Sequence, residues 1–314
     1  MPSTNAKSHN AKKIPFPEWI RRPWPNGKSF QEVKSLIGDL DLHTVCQSAH
    51  CPNQAECWSR RTATFMVMGN TCTRHCTYCA VNSGRPEALD AEEPAKIAES
   101  VRRLGLRHAV ITSVTRDDLP DGGATHVAET IRAIKEVCPR TTIEALVQDF
   151  CADPAAIQLV VDARPEVFSH NIETVERLFE TMRDRRFTYH KSLEVIRIAK
   201  EHAPERFTKS AFMMGCGENA DDVKQTLEDL LESGCDAVSM GQYLQPTPKH
   251  HPVVEYVHPD TFKQYEALAY ELGFGFAVAG PFVRSSYRSE ALLESDFAQA
   301  RLAGQAPLSQ ERNE

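Results

Sequence analysis

The sequence predicts an α/β protein built around a parallel β-sheet. From residue 62 to residue 280, short apolar segments alternate with amphipathic helical segments. Six or seven β/α units of this kind imply a parallel sheet, because consecutive parallel strands need a crossover helix between them. The crossover rules leave a doubly wound sheet or a barrel. No G-x-G-x-x-G follows a predicted strand, which argues against a doubly wound sheet of the dinucleotide-binding type.

The elements follow in order along the chain. The apolar runs that predict strands are 63–69, 108–114, 141–147, 167–172, 209–215, 237–243 and 274–280. The amphipathic segments that predict helices lie near 92–104, 123–137, 153–162, 174–183, 190–202, 219–233 and 260–272. Two helices have good end signals: Asn219 is an N-cap with Gly234 beyond the end, and Asp260 opens the helix that Gly273 closes. Residues 1–35 predict an irregular arm with one short helix.

Composition excludes several classes of protein. Hydrophobic residues make up 41% of the 314 and charged residues 25%, as in an ordinary globular protein. No apolar run approaches the ~18 residues of a membrane-spanning helix. The net charge of −7 gives no basic surface for nucleic acid. Residues 1–13 lack a secretory or transit pattern, so we expect a cytoplasmic protein.

Polar residues recur at the ends of the predicted strands. A barrel carries its active site at the carboxyl ends of its strands, in the loops that follow. Each polar residue there could be an ordinary loop residue, but the recurrence on successive strands favours a site. The residues are Thr112, Ser113, Glu144, Asn171, Glu173 and Gln242.

Six of the ten cysteines form two triads, Cys46-x4-Cys51-x5-Cys57 and Cys72-x3-Cys76-x2-Cys79. A reducing cytosol favours metal binding or catalysis over disulfides. Structural zinc usually takes four nitrogen or sulfur ligands, and neither triad supplies a fourth cysteine. Thiolates at these spacings can hold an iron–sulfur cube and leave one iron open. The adjacent His250 and His251 could suggest a metal pair, but a solvated loop is the better interpretation.

The second triad follows the first predicted strand, where a barrel would carry its active site. The stretch Cys72-Thr-Arg-His-Cys76-Thr-Tyr-Cys79 resembles the signature of the radical S-adenosylmethionine (SAM) superfamily. The spacing of the first triad narrows the resemblance to the lipoyl synthase family. Four further stretches are similar to that family: Ser113-Val-Thr-Arg-Asp-Asp-Leu-Pro-Asp-Gly-Gly-Ala124, His170-Asn-Ile-Glu-Thr174, Gly241-Gln-Tyr-Leu-Gln-Pro-Thr-Pro248 and Gly280-Pro-Phe-Val-Arg-Ser-Ser-Tyr287.

The resemblance implies a fold and a domain order. The fold is a partial TIM-type (β/α)6 barrel with N- and C-terminal extensions. Residues 1–61 form the N-terminal arm and the auxiliary-cluster segment, and residues 62–259 form the barrel. Residues 260–314 form the C-terminal extension, with a serine ligand and a polar tail.

The resemblance also implies the cofactors, which are SAM and two 4Fe–4S clusters. Cys72, Cys76 and Cys79 hold the cluster whose open iron SAM chelates. The auxiliary cluster is held by Cys46, Cys51, Cys57 and Ser286. The residues that the resemblance and the strand-end pattern assign to the surroundings of SAM are Tyr78, Thr112, Ser113, Glu144, Asn171, Glu173 and Arg183.

The activity that the resemblance implies is sulfur insertion at carbons six and eight of a protein-bound octanoyl-lysine, with the auxiliary cluster as sulfur source. The implied partners are octanoylated lipoyl carrier domains, a low-potential electron donor of ferredoxin or flavodoxin type, and iron–sulfur cluster assembly proteins. Nucleic acid and membranes are not expected partners.

Two alternatives stay open on the sequence. One is another radical SAM sulfur-inserting enzyme, similar to biotin synthase, although the first triad argues against it. The other is a non-catalytic iron–sulfur or zinc module that binds partner proteins through a basic arm. The basic residues of that arm are Lys12, Lys13, Arg21, Arg22 and Lys28.

Overall fold

The computed structural model describes residues 14–21, 28–60 and 62–304. Lys12, Lys13 and Arg22 of the basic arm and the tail 305–314 lie outside the described residues. No helix of the described part of the chain is long and apolar enough to cross a membrane.

Seven parallel strands form the main sheet of the described residues. The order across the sheet is β1-β4-β5-β6-β7-β8-β9, so each of its strands pairs with the next strand of the same sheet along the chain. This is the succession of a barrel wall that begins at β1 and ends at β9. The strands are β1 (Thr64–Val67), β4 (His108–Ser113), β5 (Thr142–Leu146), β6 (Val167–Ser169), β7 (Phe207–Met214), β8 (Ala237–Gln242) and β9 (Phe276–Gly280), and a separate small pair is formed by β2 (Thr71–Cys72) and β3 (Asn82–Ser83).

Helices separate the strands of the main sheet and cover its outer face. Within the described residues, three α-helices precede the first strand of the sheet and two follow the last. The α-helices of the described residues are α1 (Lys28–Asp39), α2 (Val45–Ser48), α3 (Gln54–Ser59), α4 (Glu93–Leu104), α5 (Ala124–Val137), α6 (Pro154–Asp162), α7 (Glu176–Met182), α8 (Tyr189–His202), α9 (Ala220–Glu232), α10 (Pro259–Leu272), α11 (Glu290–Glu294) and α12 (Asp296–Leu302).

Alternation along the strands separates a helix-facing core from the inside of the barrel. In β5, Ile143 and Ala145 pack in the main apolar core with the helices. Because successive side chains point to opposite faces of a strand, Glu144 and Leu146 point to the inside. Leu146 lines an interior pocket, as this alternation requires.

The fold prediction is confirmed, with small differences at the ends of elements. The first six strands of the sheet match the (β/α)6 barrel, and β9 adds a seventh strand within residues 260–314. Asn219 caps α9 as predicted, with Gly234 just beyond the helix at a φ of 81°. Asp260 is not the N-cap of α10: the cap is His258, whose side chain accepts from the Asp260 amide. The helix begins at Pro259, because proline is favoured at the first helical position, so the N-cap falls on the residue before it.

Candidate active site

The loop after β1 presents the second cysteine triad. Backbone amides of Arg74 and Thr115 each lie 3.4 Å from the Cys72 sulfur, and the Asp184 amide lies 3.4 Å from the Cys76 sulfur. Amide donors directed at thiolate sulfurs are a feature of iron–sulfur sites, because such bonds stabilise the charge of the ligands. The loop is therefore preorganised for a negatively charged sulfur set.

A second loop, 243–251, holds the triad loop in place. His250 donates from Nε2 to the Cys79 carbonyl at 3.0 Å, and the His251 amide donates to the Thr77 carbonyl at 2.8 Å. His251 Nε2 also bonds the Cys216 carbonyl at 3.2 Å. The interpretation of the two histidines as a solvated loop is therefore wrong. Sequence reasoning missed the contact because it joins residues 171 positions apart.

An interior pocket of about 210 Å³ lies beside this triad, at the carboxyl ends of β1, β4, β5 and β6. Ser113 lines this pocket, and its Oγ is buried and has no hydrogen-bond partner among the described residues. Such an atom fits a site for a polar ligand. The predicted site residues that line the pocket are Cys72, Cys76, Cys79, Tyr78, Thr112, Ser113, Asn171, Glu173 and Arg183.

The charged groups of the pocket are buried and close together. Arg183 lies 3.5 Å from an Asp149 oxygen and donates to the Tyr78 hydroxyl at 3.4 Å. Burial raises the pKa of Glu173, and the nearby Arg183 opposes that rise. Glu173 also has a φ of 70°, unusual for a residue with a side chain. Arg183, Asp149 and Glu173 thus present charges of both signs to a zwitterionic ligand.

Asp149 and Arg74 are pocket residues that the sequence reasoning missed. Arg74 is 4% exposed and bonds Asp149, and it also donates to Asp117 at 2.8 Å. Asp149 lies three residues beyond the end of β5, in the loop that follows, so the rule that polar residues at strand ends mark a site could have found it. That rule was applied to Glu144 instead.

Glu144 is not brought to this pocket. It lies in the middle of β5, fully buried, and its carboxylate accepts from Lys209 Nζ at 2.9 and 3.1 Å. The expectation failed because the predicted strand 141–147 did not show which residue ends it. Gln242 does not line this pocket either. Its side-chain amide donates to the backbone carbonyls of Met214, Tyr243 and Glu255.

The first triad lies in the segment just before β1. Cys46 is in α2, whose N-cap is Thr44, and Cys57 is in α3. The three cysteines line a small pocket of about 60 Å³. Burial raises the pKa of the Cys46 thiol, and the nearby Trp58 side chain opposes part of that rise. Trp58 Nε1 is itself buried.

Ser286 lines the same pocket as the first triad. It belongs to residues 281–289, the strap, which leads from the end of β9 toward the start of β1. The Thr64 hydroxyl donates to Ser286 Oγ at 2.9 Å. Asn53 donates to the Phe282 carbonyl at 2.7 Å, and Tyr287 donates to Glu56 at 2.8 Å. The strap thus joins the two ends of the open sheet.

Cys46 is buried and the other five triad cysteines are half-buried, and the thiols within each triad lie close enough to influence one another. Burial raises the pKa of Cys46 to about 11, and burial with the neighbouring thiols raises that of Cys57 to about 12. Burial also raises the pKa of Cys79 to about 12. Without a metal the thiols of Cys46, Cys57 and Cys79 are protonated at neutral pH, so ligation by them has to release protons.

The two donor sets fit iron–sulfur cubes. Within the described residues, no three His, Cys, Asp or Glu side chains converge so as to hold one metal ion. A cube takes each thiolate on a different iron, so its ligands surround it without converging on a point. The spread of each triad therefore suits a cube better than a single zinc ion. Val45 lines both pockets and forms their shared wall.

A larger cavity, of about 740 Å³, lies elsewhere, at the amino ends of the strands. It contains neither triad. Four of its residues, Arg60, Thr62, His108 and Glu290, also line the pocket of the first triad. The smaller pockets carry the cysteines, so size alone does not mark the chemistry here.

Comparisons with known proteins agree with this geometry. A family model of the radical SAM superfamily matches residues 66–230. A model of the N-terminal domain of lipoyl synthase matches residues 3–51. The lipoyl synthase of Thermus thermophilus is 50% identical over 275 residues, which cover 87% of this chain and 85% of the relative. The chain belongs to the lipoyl synthase family. The lipoyl synthase of Rubrobacter xylanophilus is also 50% identical, over 273 residues, with 87% and 85% covered.

Membership confirms the family resemblance seen in the sequence. Lipoyl synthases are radical SAM enzymes that use SAM and two 4Fe–4S clusters, and this is the cofactor set of the chain. Solved structures support the fold alone. Methylornithine synthase superposes with a TM-score of 0.51 at 12% identity, covering 90% of this chain and 94% of that chain. Streptococcus suis SuiB bound to S-adenosylmethionine gives 0.55 at 10%, covering 72% and 53%.

Proposed function

We propose that this chain inserts two sulfur atoms, at carbons six and eight, into a protein-bound octanoyl-lysine to make the lipoyl cofactor. Membership of the lipoyl synthase family supports the activity. The observation that carries the proposal is the pair of cysteine pockets that share Val45 in their walls. A substrate that passes this wall reaches both cysteine sets.

When bound, SAM and the cluster of the second triad supply a 5′-deoxyadenosyl radical by one-electron cleavage of the sulfonium, and the auxiliary cluster supplies sulfur. The protein has to position the acyl chain and exclude water. Val45, Met66 and Leu146 give the pocket an apolar wall for an alkyl chain. Burial of this wall keeps reactive carbon away from solvent.

The charges of the pocket match those of SAM. We assign the Glu173 carboxylate to the SAM ammonium group and the Arg183 guanidinium to the SAM carboxylate, because each pairs with the opposite charge in a buried site. The orphaned Ser113 hydroxyl is assigned to a polar group of the ligand. The remaining assignments to SAM are Tyr78, Thr112 and Asn171.

Each triad takes one cluster. Cys72, Cys76 and Cys79 are assigned to the SAM-binding cluster. We assign Cys46, Cys51, Cys57 and Ser286 to the auxiliary cluster, and the shared pocket supports this set. A serine oxygen is a harder ligand than thiolate, so its bond to a soft cluster is the more exchangeable one. That suits a cluster that gives up its sulfur.

The partners follow from the chemistry. Family membership implies a lipoyl carrier protein as substrate. We further propose a low-potential ferredoxin or flavodoxin as electron donor, iron–sulfur assembly proteins that rebuild the auxiliary cluster, and a cytoplasmic location. The proposed division of labour is an auxiliary-cluster segment at 1–61, a radical SAM barrel at 62–259 and a ligand-bearing extension at 260–314.

The test is anaerobic incubation of the reconstituted protein with SAM, a reductant and an octanoyl-lysine peptide, followed by mass spectrometry for added sulfur. Two added sulfur atoms support the proposal. A non-catalytic module gives no 5′-deoxyadenosine, and a biotin-synthase-like enzyme gives deoxyadenosine without sulfur on this peptide.

The same assay tests the serine ligand. Ser286→Ala should leave SAM cleavage possible and block sulfur insertion, and Ser286→Cys should assemble a cluster that is poorly consumed. Ser295→Ala is the control, because it removes the cap of α12 and leaves the pocket intact. Sulfur insertion at the wild-type rate by Ser286→Ala would refute the ligand assignment.

A further inference from the structure

A buried ion pair occupies the inside of the barrel, and the proposed chemistry does not use it. Lys209 on β7 is 2% exposed and Glu144 on β5 is fully buried. Lys209 Nζ donates to the two carboxylate oxygens of Glu144 at 3.1 and 2.9 Å. It makes a third bond, at 2.6 Å, to the Ser285 carbonyl of the strap. The three protons of the ammonium group are thereby satisfied.

The Ser285 carbonyl belongs to the peptide bond that leads directly into Ser286. Ser285 is also held on its side chain, because its hydroxyl donates to Asn171 Oδ1 at 2.9 Å. On the other side, the Ser286 hydroxyl accepts from Thr64. The peptide between the two serines is therefore held from outside the strap, by Lys209 on β7, Asn171 just after β6 and Thr64 on β1.

The strap also lies close against the inner face of the sheet. A Cβ at Gly241 on β8 would come within 2.0 Å of the Val283 carbonyl oxygen. Only glycine permits this approach, which brings the strap backbone within reach of the Lys209 ammonium group. The contact of Lys209 with the strap is thus built into the packing of the barrel.

A buried ion pair is a poor source of stability. The cost of removing two charges from water offsets most of their attraction, and well-packed apolar replacements are often as stable or more so. What the pair does supply is a directed, charge-assisted hydrogen bond to one carbonyl. An apolar pair would fill the same space without that direction.

We propose that Lys209, held by Glu144, is a positioning residue that orients Ser286 toward the first cysteine triad. The ammonium group fixes the Ser285–Ser286 peptide plane, and the serine hydroxyl then points into the pocket of Cys46, Cys51 and Cys57. The inference rests on the proposed role of Ser286 as fourth ligand of the auxiliary cluster.

The test uses a double variant, Lys209→Met/Glu144→Leu, which removes both charges and keeps apolar volume. Hydrogen–deuterium exchange of the strap in the cluster-free protein is the first measurement. We expect exchange about tenfold faster than in the wild type, the order of effect of one lost charge-assisted bond. Thermal unfolding of the same protein should be unchanged or should move to higher temperature.

The second measurement uses the reconstituted enzyme. Deoxyadenosine formation should stay near the wild-type rate, whereas sulfur insertion should fall about tenfold or more. The Mössbauer signature of the oxygen-ligated iron should change as well. The control is Lys135→Met/Glu166→Gln. This double variant removes an ion pair that lies away from the strap, with 2.7 Å between Lys135 Nζ and a Glu166 carboxylate oxygen. Exchange of the strap should then stay as in the wild type.

Each outcome decides the matter. Wild-type strap exchange and sulfur insertion in the double variant overturn the inference, as does equal loosening of the strap by the control pair. If the double variant does not fold, Lys209→Gln/Glu144→Gln takes its place, because the shorter amide falls short of the Ser285 carbonyl. If Ser286→Ala keeps sulfur insertion, the ligand assignment fails separately, and the exchange of the strap alone still tests its anchoring by Lys209.

Discussion

The hydroxyl of Thr64, the first residue of β1, donates a hydrogen bond of 2.9 Å to the hydroxyl of Ser286 on the strap. This bond connects the edge strand of the sheet to the one proposed cluster ligand that is not a cysteine. Thr64 is 5% exposed, so water does not replace the bond easily. The contact gives Ser286 a donor that holds its oxygen in the pocket of the first triad.

Thr64→Val should therefore loosen the auxiliary cluster without disturbing the fold. The change keeps the shape of the side chain and removes the donor, so the free energy of unfolding of the cluster-free protein should change by only ~1 kcal/mol. A chelator should remove iron from the auxiliary site several-fold faster. Thr130→Val, which removes another buried threonine hydroxyl on α5, is the control. Equal iron loss from both variants would contradict the role of Thr64.

Replacing Cys72, Cys76 or Cys79 with Ala should abolish SAM cleavage. Each of the three thiolates holds a different iron of one cube, and the other cluster does not depend on them. Iron analysis should give about four atoms per chain, with no 5′-deoxyadenosine. Undiminished SAM cleavage by any of these variants would remove the cluster assignment.

Replacing Cys46, Cys51 or Cys57 with Ala should separate the two half-reactions. SAM cleavage needs the other triad only, so deoxyadenosine should still form. Sulfur insertion needs this pocket, so mass spectrometry should detect no lipoyl product. A variant of this group that makes lipoyl groups would contradict the sulfur-donor role.

Ser113→Ala should weaken SAM binding while leaving the ligand-free protein unharmed. Ser113 Oγ has no hydrogen-bond partner, so its removal relieves an unsatisfied buried group. Thermal unfolding should stay the same or move upward. The dissociation constant for SAM, measured by anaerobic calorimetry, should rise about fivefold to tenfold, the loss of one hydrogen bond. Unchanged SAM affinity would show that the hydroxyl faces no part of the ligand.

His108 should make the cluster-free protein less stable in mild acid. Burial, with a contribution from Lys209, lowers the pKa of His108 to about 4 from an ordinary value of 6.5. Between pH 4 and 6.5 the unfolded state binds the extra proton, so the free energy of unfolding rises with pH, by at most ~3 kcal/mol over this range. His108→Asn should flatten this rise in urea unfolding at several pH values. His170, whose pKa is also lowered to about 4 by burial, supplies the slope that remains. A slope unchanged by His108→Asn would place the proton uptake elsewhere.

The sequence predicted local patterns better than contacts between distant segments. Apolar alternation and helix signals identified all seven main-sheet strands, because each pattern is written in consecutive residues. The triads were found for the same reason. The assignments of Glu144 and Gln242 and the interpretation of the histidine pair failed because they depend on which residue ends a strand and on which loop packs against it. Only tertiary packing decides both points.

Asp149, a pocket residue that the sequence analysis missed, also depends on contacts between distant segments. Its position after β5 was visible in the sequence, but its partners, Arg74 and Arg183, are 75 and 34 positions away. Charge pairing across such distances has no local signal. Lys209 is a further case, since a lysine in a strand predicts an exposed edge rather than a buried bond to the strap.

The strap also has a consequence for protein synthesis. Chains emerge from the ribosome N-terminus first, at about 5–20 residues per second. Ser286 lies 222 positions beyond Thr64, so it leaves the ribosome roughly 10 to 45 seconds after β1 has been made. During that interval Cys46, Cys51 and Cys57 are present on the nascent chain without their serine. The pocket of the first triad is therefore completed only after residue 286 has been made, so we expect its proposed cluster to be loaded after the barrel strands have been synthesised.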